Sequence, residues 1–315
     1  MVGRNGRVMV TGASGRIGSE LTMALRRELG GNSVVAVGHK TEPPSTLRDA
    51  GPYEEIDVRD RAAVTWLVDK YDVDEIYHMA ASPLTEVEGN PSLAWDVNVN
   101  GLLNVLESAR LRGVSQVFAP SSIAVFGSDV PCELAPQDAP LSPNTTYGIT
   151  KLVGEALARQ YATAYGLDVR GLRYPGIISS ETPSGGATTD YAVEFFYAAD
   201  SSGHYDCFVR ENTVLPMMYM PDCIRATLRL MRAPREMLTH AVCYNVAAMS
   251  FSAGELARVI KRELPGFTCS FVPDARQAIA DSWPMRIDDR AARNDWDWDP
   301  AYGLESMVRD MLQHI

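Results

Sequence analysis

The chain has 315 residues, 46% of them hydrophobic and 22% charged, which is an ordinary composition for a globular protein. This length accommodates one large α/β domain with a smaller lobe. The formal net charge of -11 argues against nucleic acid or an anionic membrane surface as a partner, because both require a basic patch on the protein.

Strand-like and helix-like segments alternate over the first 175 residues, which predicts an α/β fold with a doubly wound parallel (Rossmann) sheet. In chain order we predict strands at 8–10, 34–37, 54–56, 75–79, 117–119 and 169–173. We predict helices at 17–29, from residue 60, at about 91–112 and at 147–165. Helices on both faces of such a sheet leave its carboxyl edge open to a ligand.

Beyond residue 175 the alternation ends, and small or turn-forming residues dominate 179–189. Further helices are predicted near 190–199, 222–231, 253–264 and 304–313. We interpret 1–175, with return segments at about 216–247 and 291–315, as a dinucleotide-binding domain. The segments at about 176–215 and 248–290 form a smaller C-terminal substrate-binding lobe in this interpretation, and 242–246 returns to the main sheet.

The first residues lead into the first strand without a signal-peptide core, and no apolar run approaches the roughly 18 residues of a membrane span. We therefore expect a cytoplasmic protein with no membrane association and with small-molecule partners. The five cysteines are far apart and lack metal-binding spacing, so we expect reduced thiols and no metal site. They are Cys132, Cys207, Cys223, Cys243 and Cys269.

Three glycines, Gly12, Gly15 and Gly18, follow the first predicted strand, and a helix opens at about Arg16 and Ile17. The N–H groups and the dipole of a helix that begins in such a turn can receive the pyrophosphate of a dinucleotide. A tight strand–helix turn also needs glycines when no ligand is present. The tyrosine–lysine pair farther along the chain supports the interpretation of this turn as a dinucleotide site.

The position some 20 residues after the glycine turn usually holds a carboxylate, which binds the adenosine 2′-hydroxyl and selects NAD. Here Gly38 takes that place, and His39 and Lys40 follow it. Two adjacent cations could attract the 2′-phosphate of NADP, although they could also be a solvated loop. A carboxylate introduced at Gly38 is expected to shift the preference toward NAD.

Other cofactor contacts are predicted where the third and fourth strands end. Asp57 can meet the adenine amine or cap a turn, and small residues after the fourth strand let a cofactor pass close to the backbone. Asn98 and Asn100 lie in an otherwise apolar helix and need partners, so we expect at least one of them to bind backbone near the active site and to help orient a lysine. The residues predicted here are Asp57, Val58, Met79, Ala80, Ala81 and Asn98.

Ser122, Tyr147 and Lys151 form the predicted catalytic set. Residues four apart on a helix share one face, so the lysine ammonium can favour the ionised form of the tyrosine and hold the nicotinamide ribose. Tyr147 then serves as the general base for an alcohol proton, and Ser122 orients the alcohol. Ser121 is the weaker candidate, because neighbouring strand residues face opposite ways.

These motifs resemble the extended short-chain dehydrogenase/reductase superfamily over the whole chain. Within it, four segments in order are similar to the short-chain-type L-threonine 3-dehydrogenases. The segments are 173–179, 185–192, 215–222 and 277–284.

The resemblance implies oxidation of the side-chain hydroxyl of L-threonine to 2-amino-3-oxobutyrate, with hydride transfer to NAD. By position it places Gly186, Thr188 and Trp283 near the substrate, and Tyr174 and Ile177 near the cofactor. It also implies a homodimer that forms through the helices 91–112 and 147–165. An apolar stripe on the first of these helices, at 102–109, fits this dimer and equally fits packing on the sheet.

The chain departs from this family at three places. Gly38 replaces the acidic residue, so NADP stays open beside NAD. The segment after Ala81 differs, so either Ser82 or Thr85 supplies the hydroxyl that contacts the substrate. Ala187 replaces a glycine in the substrate loop.

Two other functions stay open from the residues alone. A nucleotide-sugar epimerase or dehydratase shares the cofactor fold and the Ser/Tyr/Lys set, but it needs clustered cations for a diphosphate. A non-catalytic dinucleotide sensor can lose the tyrosine or the lysine, and both are present here. The aromatic run 295–299 is interpreted as core that docks the C-terminal helix.

Overall fold

A computed structural model describes residues 6–181, 185–240 and 242–315. The chain folds into two compact units. Unit 1 comprises Met1–Ser121, Ile149–Leu172 and Leu230–Cys243, and unit 2 comprises Ser122–Gly148, Arg173–Arg229 and Tyr244–Ile315. This division differs from the predicted bounds, since 122–148, 216–229 and 291–315 belong to unit 2. Residues 182–184 of the predicted substrate loop lie outside the described residues.

The strands are short, and most are largely buried. They are β1 (Arg7–Thr11), β2 (Val34–Gly38), β3 (Tyr53–Glu55), β4 (Val73–His78), β5 (Gln116–Phe118), β6 (Ser121–Ser122), β7 (Asp168–Arg170), β8 (Leu172–Tyr174), β9 (Gly176–Ile178), β10 (His204–Cys207), β11 (Val214–Tyr219), β12 (Tyr244–Asn245), β13 (Met249–Ser252) and β14 (Thr268–Phe271).

The α-helices lie between these strands and at the end of the chain. They are α1 (Arg16–Leu29), α2 (Ser45–Asp49), α3 (Arg61–Tyr71), α4 (Leu84–Val87), α5 (Pro91–Ala94), α6 (Gly101–Arg112), α7 (Thr146–Tyr165), α8 (Tyr191–Ser201), α9 (Met220–Arg232), α10 (Ala253–Glu263), α11 (Arg276–Asp281), α12 (Arg290–Trp296) and α13 (Leu304–His314).

Unit 1 contains a six-stranded sheet in the order β3-β2-β1-β4-β5-β7, with all neighbours parallel. The order reverses between β1 and β4, which is where open α/β sheets bind ligands. The prediction of a doubly wound parallel sheet is therefore confirmed. The sheet positions the ends of β1, β2 and β4 beside the glycine turn.

Apolar side chains of the sheet and of α3, α6 and α7 form the core of unit 1. Met9 and Ile76 of the sheet are fully buried in it, together with Leu67 of α3 and Leu106 of α6. Of the apolar stripe on α6, Leu102, Val105, Leu106 and Ala109 also lie in this core. These residues therefore pack within unit 1, and Leu103 alone of the stripe is exposed, at 37%.

Two predicted elements of unit 1 are interrupted. The helix expected at 91–112 contains a π-helical turn, Trp95–Asn100, between α5 and α6. The strand expected at 169–173 divides at Gly171, where a Cβ would lie 2.4 Å from the carbonyl oxygen of Ala119. Such close backbone approaches depend on tertiary neighbours, so the local pattern did not reveal them.

Unit 2 carries smaller sheets, ordered β10-β14 and β13-β11-β9, and β12 lies in a third sheet ordered β12-β8-β6. The prediction that 242–246 returns to the main sheet is therefore wrong, because its strand is paired elsewhere. Trp296 and Trp298 are buried, and Trp298 donates its indole N–H to the carbonyl oxygen of Ala247 at 2.9 Å. The aromatic run is thus part of the core of unit 2.

The described helices include none that is long and apolar enough to cross a membrane. The five cysteines are free thiols. Among the described residues no cluster of histidine, cysteine or carboxylate side chains could hold a metal ion.

Candidate active site

The glycine turn brings the backbone of β1 against the end of β4. Gly12 has φ +67°, and a Cβ on it would lie 2.5 Å from the amide nitrogen of Ala80. A Cβ on Gly18 would lie 2.1 Å from the carbonyl oxygen of Gly12. Only glycine fits both places, and α1 begins at Arg16 without a side-chain cap on its N-terminal N–H groups. The turn therefore has the close backbone approach and the helix N-terminus that a pyrophosphate site uses.

A cavity of about 410 Å³ opens beside this turn in unit 1. It contains most of the residues predicted to bind the cofactor, whereas Arg16, Ile17 and Gly18 belong to the helix that begins beside it. The predicted residues in its lining are Gly12, Gly15, Gly38, His39, Lys40, Asp57, Val58, Met79, Ala80, Ala81 and Ser82.

Charged groups concentrate at one end of this cavity. Arg59 donates to both carboxylate oxygens of Asp57, at 3.0 and 2.9 Å from Nε, and lowers the pKa of Asp57. His39 Nε2 lies 3.6 Å from the same carboxylate. The backbone N–H of Arg59 also donates to Asp57, so the alternative of a turn cap holds for this aspartate. Arg59 is a third basic residue near the predicted adenosine end, beside His39 and Lys40.

Gly38 faces an unexpected neighbour. A Cβ built on Gly38 would lie 1.8 Å from the Tyr53 hydroxyl and 2.9 Å from Ser14 Oγ. The two hydroxyls are hydrogen-bonded to each other at 3.1 Å. The Tyr53 and Ser14 hydroxyls fill the space that a carboxylate at position 38 would enter. This geometry argues against the expectation that an aspartate at position 38 shifts the preference toward NAD.

Lys151 lies on α7 beside a second, smaller cavity of about 20 Å³, which is room for a single water molecule. Its Nζ donates to the carbonyl oxygen of Pro120 at 3.1 Å. Burial lowers the pKa of Lys151 to about 8. His78 lines the same cavity, accepts or donates at Nδ1 with Thr11 Oγ1 at 2.8 Å, and has its pKa lowered to about 3 by burial. His78 is therefore neutral at physiological pH.

Asn98 lies in the π-helical turn and joins two segments of unit 1. Its Oδ1 accepts the backbone N–H of Ser82 at 2.8 Å, and its Nδ2 donates to the Ser82 carbonyl oxygen at 3.3 Å and to Thr150 Oγ1 at 3.1 Å. This buried amide therefore binds the backbone of Ser82, which lines the large cavity. Its contact with α7 is through Thr150, the residue before Lys151.

The tyrosine and serine of the predicted catalytic set contact each other in unit 2. Burial raises the pKa of Tyr147 to about 12, and a hydrogen bond with Ser122 acts in the opposite direction. The pKa of Tyr147 is therefore raised and not lowered as expected, because burial removes the water that stabilises the phenolate. Ser122 Oγ also accepts the backbone N–H of Ala124 at 3.2 Å.

The Ser121 side chain makes a different contact from that of Ser122, as the alternation of side chains along a strand predicts. Its hydroxyl donates to Glu155 Oε1 of α7 at 2.6 Å, and both residues are buried. Ser121 thus satisfies a buried carboxylate.

Two residues predicted near the substrate hold buried polar atoms. The Thr188 hydroxyl and the Trp283 indole N–H have no hydrogen-bond partner among the described residues, although their side chains are 1% and 7% exposed. An unpaired buried donor is unfavourable unless a ligand satisfies it. Gly186 lies two residues before Thr188 at φ +83°, in a loop that Asp190 Oδ2 binds through the N–H groups of Gly185 and Ala187.

For the remaining predicted residues the structure gives burial and neighbouring groups. Tyr174 of β8 is buried, and its hydroxyl bonds that of Thr227. Ile177 lies in β9 and is half-buried. Thr85 is exposed on α4, whereas Ser82 lines the large cavity, so Ser82 is the better placed of the two hydroxyls for a ligand there.

Several residues of these cavities were not predicted from the sequence. Ser14 and Arg59 line the large cavity, and His78 and Glu155 line the small one. Ser14 lies inside the glycine turn, so the motif could have indicated it. Tyr53 approaches Gly38 through the pairing of β2 with β3, for which the sequence carries no local signal.

The sequence profile of the NAD dependent epimerase/dehydratase family matches residues 8–247 of this chain. An uncharacterized epimerase/dehydratase of Staphylococcus haemolyticus is 40% identical over 310 residues, covering 98% of this chain and 97% of that protein.

Two solved structures are similar over the full length. The L-threonine dehydrogenase of Clostridium difficile has a TM-score of 0.95 at 42% identity, covering 98% of this chain and 97% of that one. The holo form of the L-threonine dehydrogenase of Cupriavidus necator has a TM-score of 0.94 at 44% identity, covering 98% and 99%.

Proposed function

The chain belongs to the NAD dependent epimerase/dehydratase family, and we propose that within it the protein is an NAD-dependent L-threonine 3-dehydrogenase. The proposed reaction converts the side-chain hydroxyl of L-threonine to the ketone of 2-amino-3-oxobutyrate. The observation that carries this proposal is the full-length similarity, at 42% and 44% identity, to two solved L-threonine dehydrogenases.

The large cavity of unit 1 would hold the adenosine and pyrophosphate of a dinucleotide. The glycine turn would receive its pyrophosphate, and Asp57 and Val58 lie where the adenine would end. A bound oxidised nicotinamide supplies the hydride acceptor. The family match favours NAD, so we propose that NAD is preferred. Because position 38 carries no carboxylate and three basic residues stand near it, we propose that NADP is also used.

Tyr147 is proposed as the general base. Its hydroxyl is already hydrogen-bonded with Ser122, so a substrate alcohol that binds there meets one group that takes its proton and one that orients its oxygen. Lys151 lies four residues farther along α7, on the same helical face. We assign it the role of favouring the phenolate and holding the nicotinamide ribose.

The unpaired donors of Thr188 and Trp283 support a substrate role for unit 2. L-Threonine carries a carboxylate and an ammonium on one carbon and the reacting hydroxyl on the next. The Thr188 hydroxyl and the Trp283 indole N–H can donate to carboxylate oxygens, which would satisfy two buried groups at once. In the loop at 185–189 Asp190 already accepts the N–H groups of Gly185 and Ala187, so the Thr188 hydroxyl is the donor that this loop is proposed to supply.

We also propose that the protein forms a homodimer through α6 and α7. Large apolar side chains on these helices remain exposed, namely Leu103 at 37%, Leu111 at 47%, Ile149 at 46% and Tyr165 at 54%. Exposed apolar patches of this kind mark interaction surfaces. Light scattering during size exclusion would give the mass, and Leu111→Lys should shift a dimer toward the monomer, whereas a monomeric mass for the unmodified protein would contradict the proposal.

The activity itself is tested by absorbance of reduced nicotinamide. We expect L-threonine to reduce NAD, and L-serine to be poorer by about one to three kcal/mol in kcat/KM because it lacks the methyl group. Turnover of a UDP-sugar with no threonine-dependent reduction would instead assign the chain to epimerase chemistry. Dinucleotide binding without turnover of either substrate would favour a sensor.

A further inference from the structure

The Tyr53 hydroxyl occupies the space beside the end of β2. It lies 1.8 Å from where a Cβ of residue 38 would stand, and its ring carbon Cζ lies 2.8 Å from that point. The backbone of Gly38 is not in the left-handed region, so conformation alone would accept any residue there. What excludes a side chain at position 38 is Tyr53, together with Ser14.

Both neighbours of this hydroxyl belong to the cavity. Gly38 and Ser14 line it, and the Tyr53 hydroxyl lies 3.1 Å from Ser14 Oγ. The Tyr53 hydroxyl thus takes the place of a Cβ at position 38, and Ser14 Oγ beside it lines the cavity near the point where many NAD-binding proteins place a carboxylate for the adenosine 2′-hydroxyl. A hydroxyl can both donate and accept, and it carries no charge.

We propose that Tyr53 is the cofactor specificity-determining residue of this chain, and that its hydroxyl holds Ser14 Oγ where the pair recognises the adenosine ribose in place of a carboxylate. The inference rests on the dinucleotide site of the proposed function and names the residues that govern its choice of cofactor. The hydroxyl pair binds the 2′-hydroxyl of NAD. Because the pair is neutral, it does not repel the 2′-phosphate of NADP.

The charges around the pair determine how well that phosphate is tolerated. His39, Lys40 and Arg59 line this part of the cavity, and Asp57 offsets part of their charge through its pair with Arg59. A 2′-phosphate therefore meets basic groups that do not depend on Tyr53. Removing the Tyr53 hydroxyl should affect NAD more than NADP.

Dinucleotide affinity measured by calorimetry without substrate tests this inference. In Tyr53→Phe the Kd for NAD should rise about tenfold, the scale of one hydrogen bond, and the Kd for NADP should change by less than about twofold. Tyr205→Phe, which removes a hydroxyl that donates to Glu194 in unit 2, is the control and should change neither value. Equal losses for both dinucleotides in Tyr53→Phe would indicate a merely structural role and overturn the inference.

A double variant separates the steric effect of a side chain at position 38 on dinucleotide binding from its electrostatic effect. Gly38→Asp alone should weaken both dinucleotides, because the new side chain displaces Tyr53. Gly38→Asp combined with Tyr53→Ala makes room for the carboxylate and should restore NAD binding while NADP binding falls at least about tenfold. Stronger NAD binding in Gly38→Asp alone would overturn the inference and leave the proposed function intact. No dinucleotide binding by the unmodified protein would overturn both.

Discussion

Ser122 hydrogen-bonds Tyr147 and opposes the rise of the Tyr147 pKa to about 12 that burial causes. The phenol is therefore neutral over most of the physiological range in the free protein. A general base must be ionised to act, so the oxidation rate should increase with pH from 7 upward.

Ser122→Ala should move this pH dependence toward alkaline values. The variant loses the hydrogen bond that favours the phenolate, so kcat/KM at pH 8 should fall about tenfold or more. Ser121→Ala is the matched control. It should reduce stability, because Glu155 loses its hydroxyl donor, while the pH at which activity rises stays the same. The measurement is kcat/KM for L-threonine between pH 6.5 and 10, and an unchanged profile in Ser122→Ala would remove the serine from the proposed mechanism.

Tyr147→Phe removes the proposed base and leaves the large cavity of unit 1 unaltered, since Tyr147 is not among its lining residues. Turnover should fall by roughly two or more orders of magnitude, with little change in dinucleotide affinity. Steady-state turnover and NAD binding by calorimetry are measured on the same preparation. A variant with near-normal turnover would show that another group takes the proton.

Lys151→Met should stabilise the protein at pH 7 and abolish activity. Burial lowers the pKa of Lys151 from its ordinary value of 10.5 to about 8 in the folded protein. At pH 7 the lysine is therefore charged in both the folded and the unfolded state, and the burial penalty is fully present. Between these values the folded protein releases the proton first, and stability rises with pH.

Replacing the lysine removes a penalty of about 3 kcal/mol and loses about 1 kcal/mol from the bond to Pro120, so a gain of about 2 kcal/mol is expected. Urea unfolding of both proteins at pH 7 and pH 10 measures the gain in stability at pH 7 and its dependence on pH. The difference in stability between wild type and variant should shrink at the higher pH. A variant that is less stable at pH 7 would show that the lysine is better solvated than its environment indicates.

Asn98→Ala should destabilise unit 1 by about 1–3 kcal/mol, because the buried N–H of Ser82 loses its acceptor. Asn100→Ala is the matched control in the same π-helical turn. Asn100 donates to Asp96 at the exposed surface, at 3.1 Å, so its loss should change stability by less than about 0.5 kcal/mol. Equal unfolding midpoints for the two variants in urea would contradict a structural role for the Asn98 amide.

Trp283→Phe should weaken L-threonine binding without weakening the fold. Its indole N–H is buried without a hydrogen-bond partner among the described residues, and so is that of Trp296. The matched variant Trp296→Phe therefore tests the same chemical change at a tryptophan that is not proposed to bind the substrate. We expect the KM for L-threonine to rise about fivefold or more in the first variant only. Thr188→Ala should behave like Trp283→Phe, with unchanged NAD affinity. A similar KM in Trp283→Phe and Trp296→Phe would remove Trp283 from the substrate site.

The sheet of unit 1 and the order of its elements follow from patterns in the amino-acid sequence. Alternating apolar strands and amphipathic helices specify a parallel sheet because only that arrangement buries both faces of each strand. Glycine spacing determined the turn after β1, since close backbone approach excludes every larger residue. Both signals are local, and a short window of residues carries them completely.

Tertiary structure alone decided what surrounds these local features. Tyr53 fills the space beside Gly38 because β3 pairs with β2, and burial, not the lysine, dominates the pKa of Tyr147. The strand at Tyr244–Asn245 joined a sheet other than the one expected. Pairing between distant segments and the loss of hydration on burial depend on the whole fold, so a reading of neighbouring residues cannot determine them.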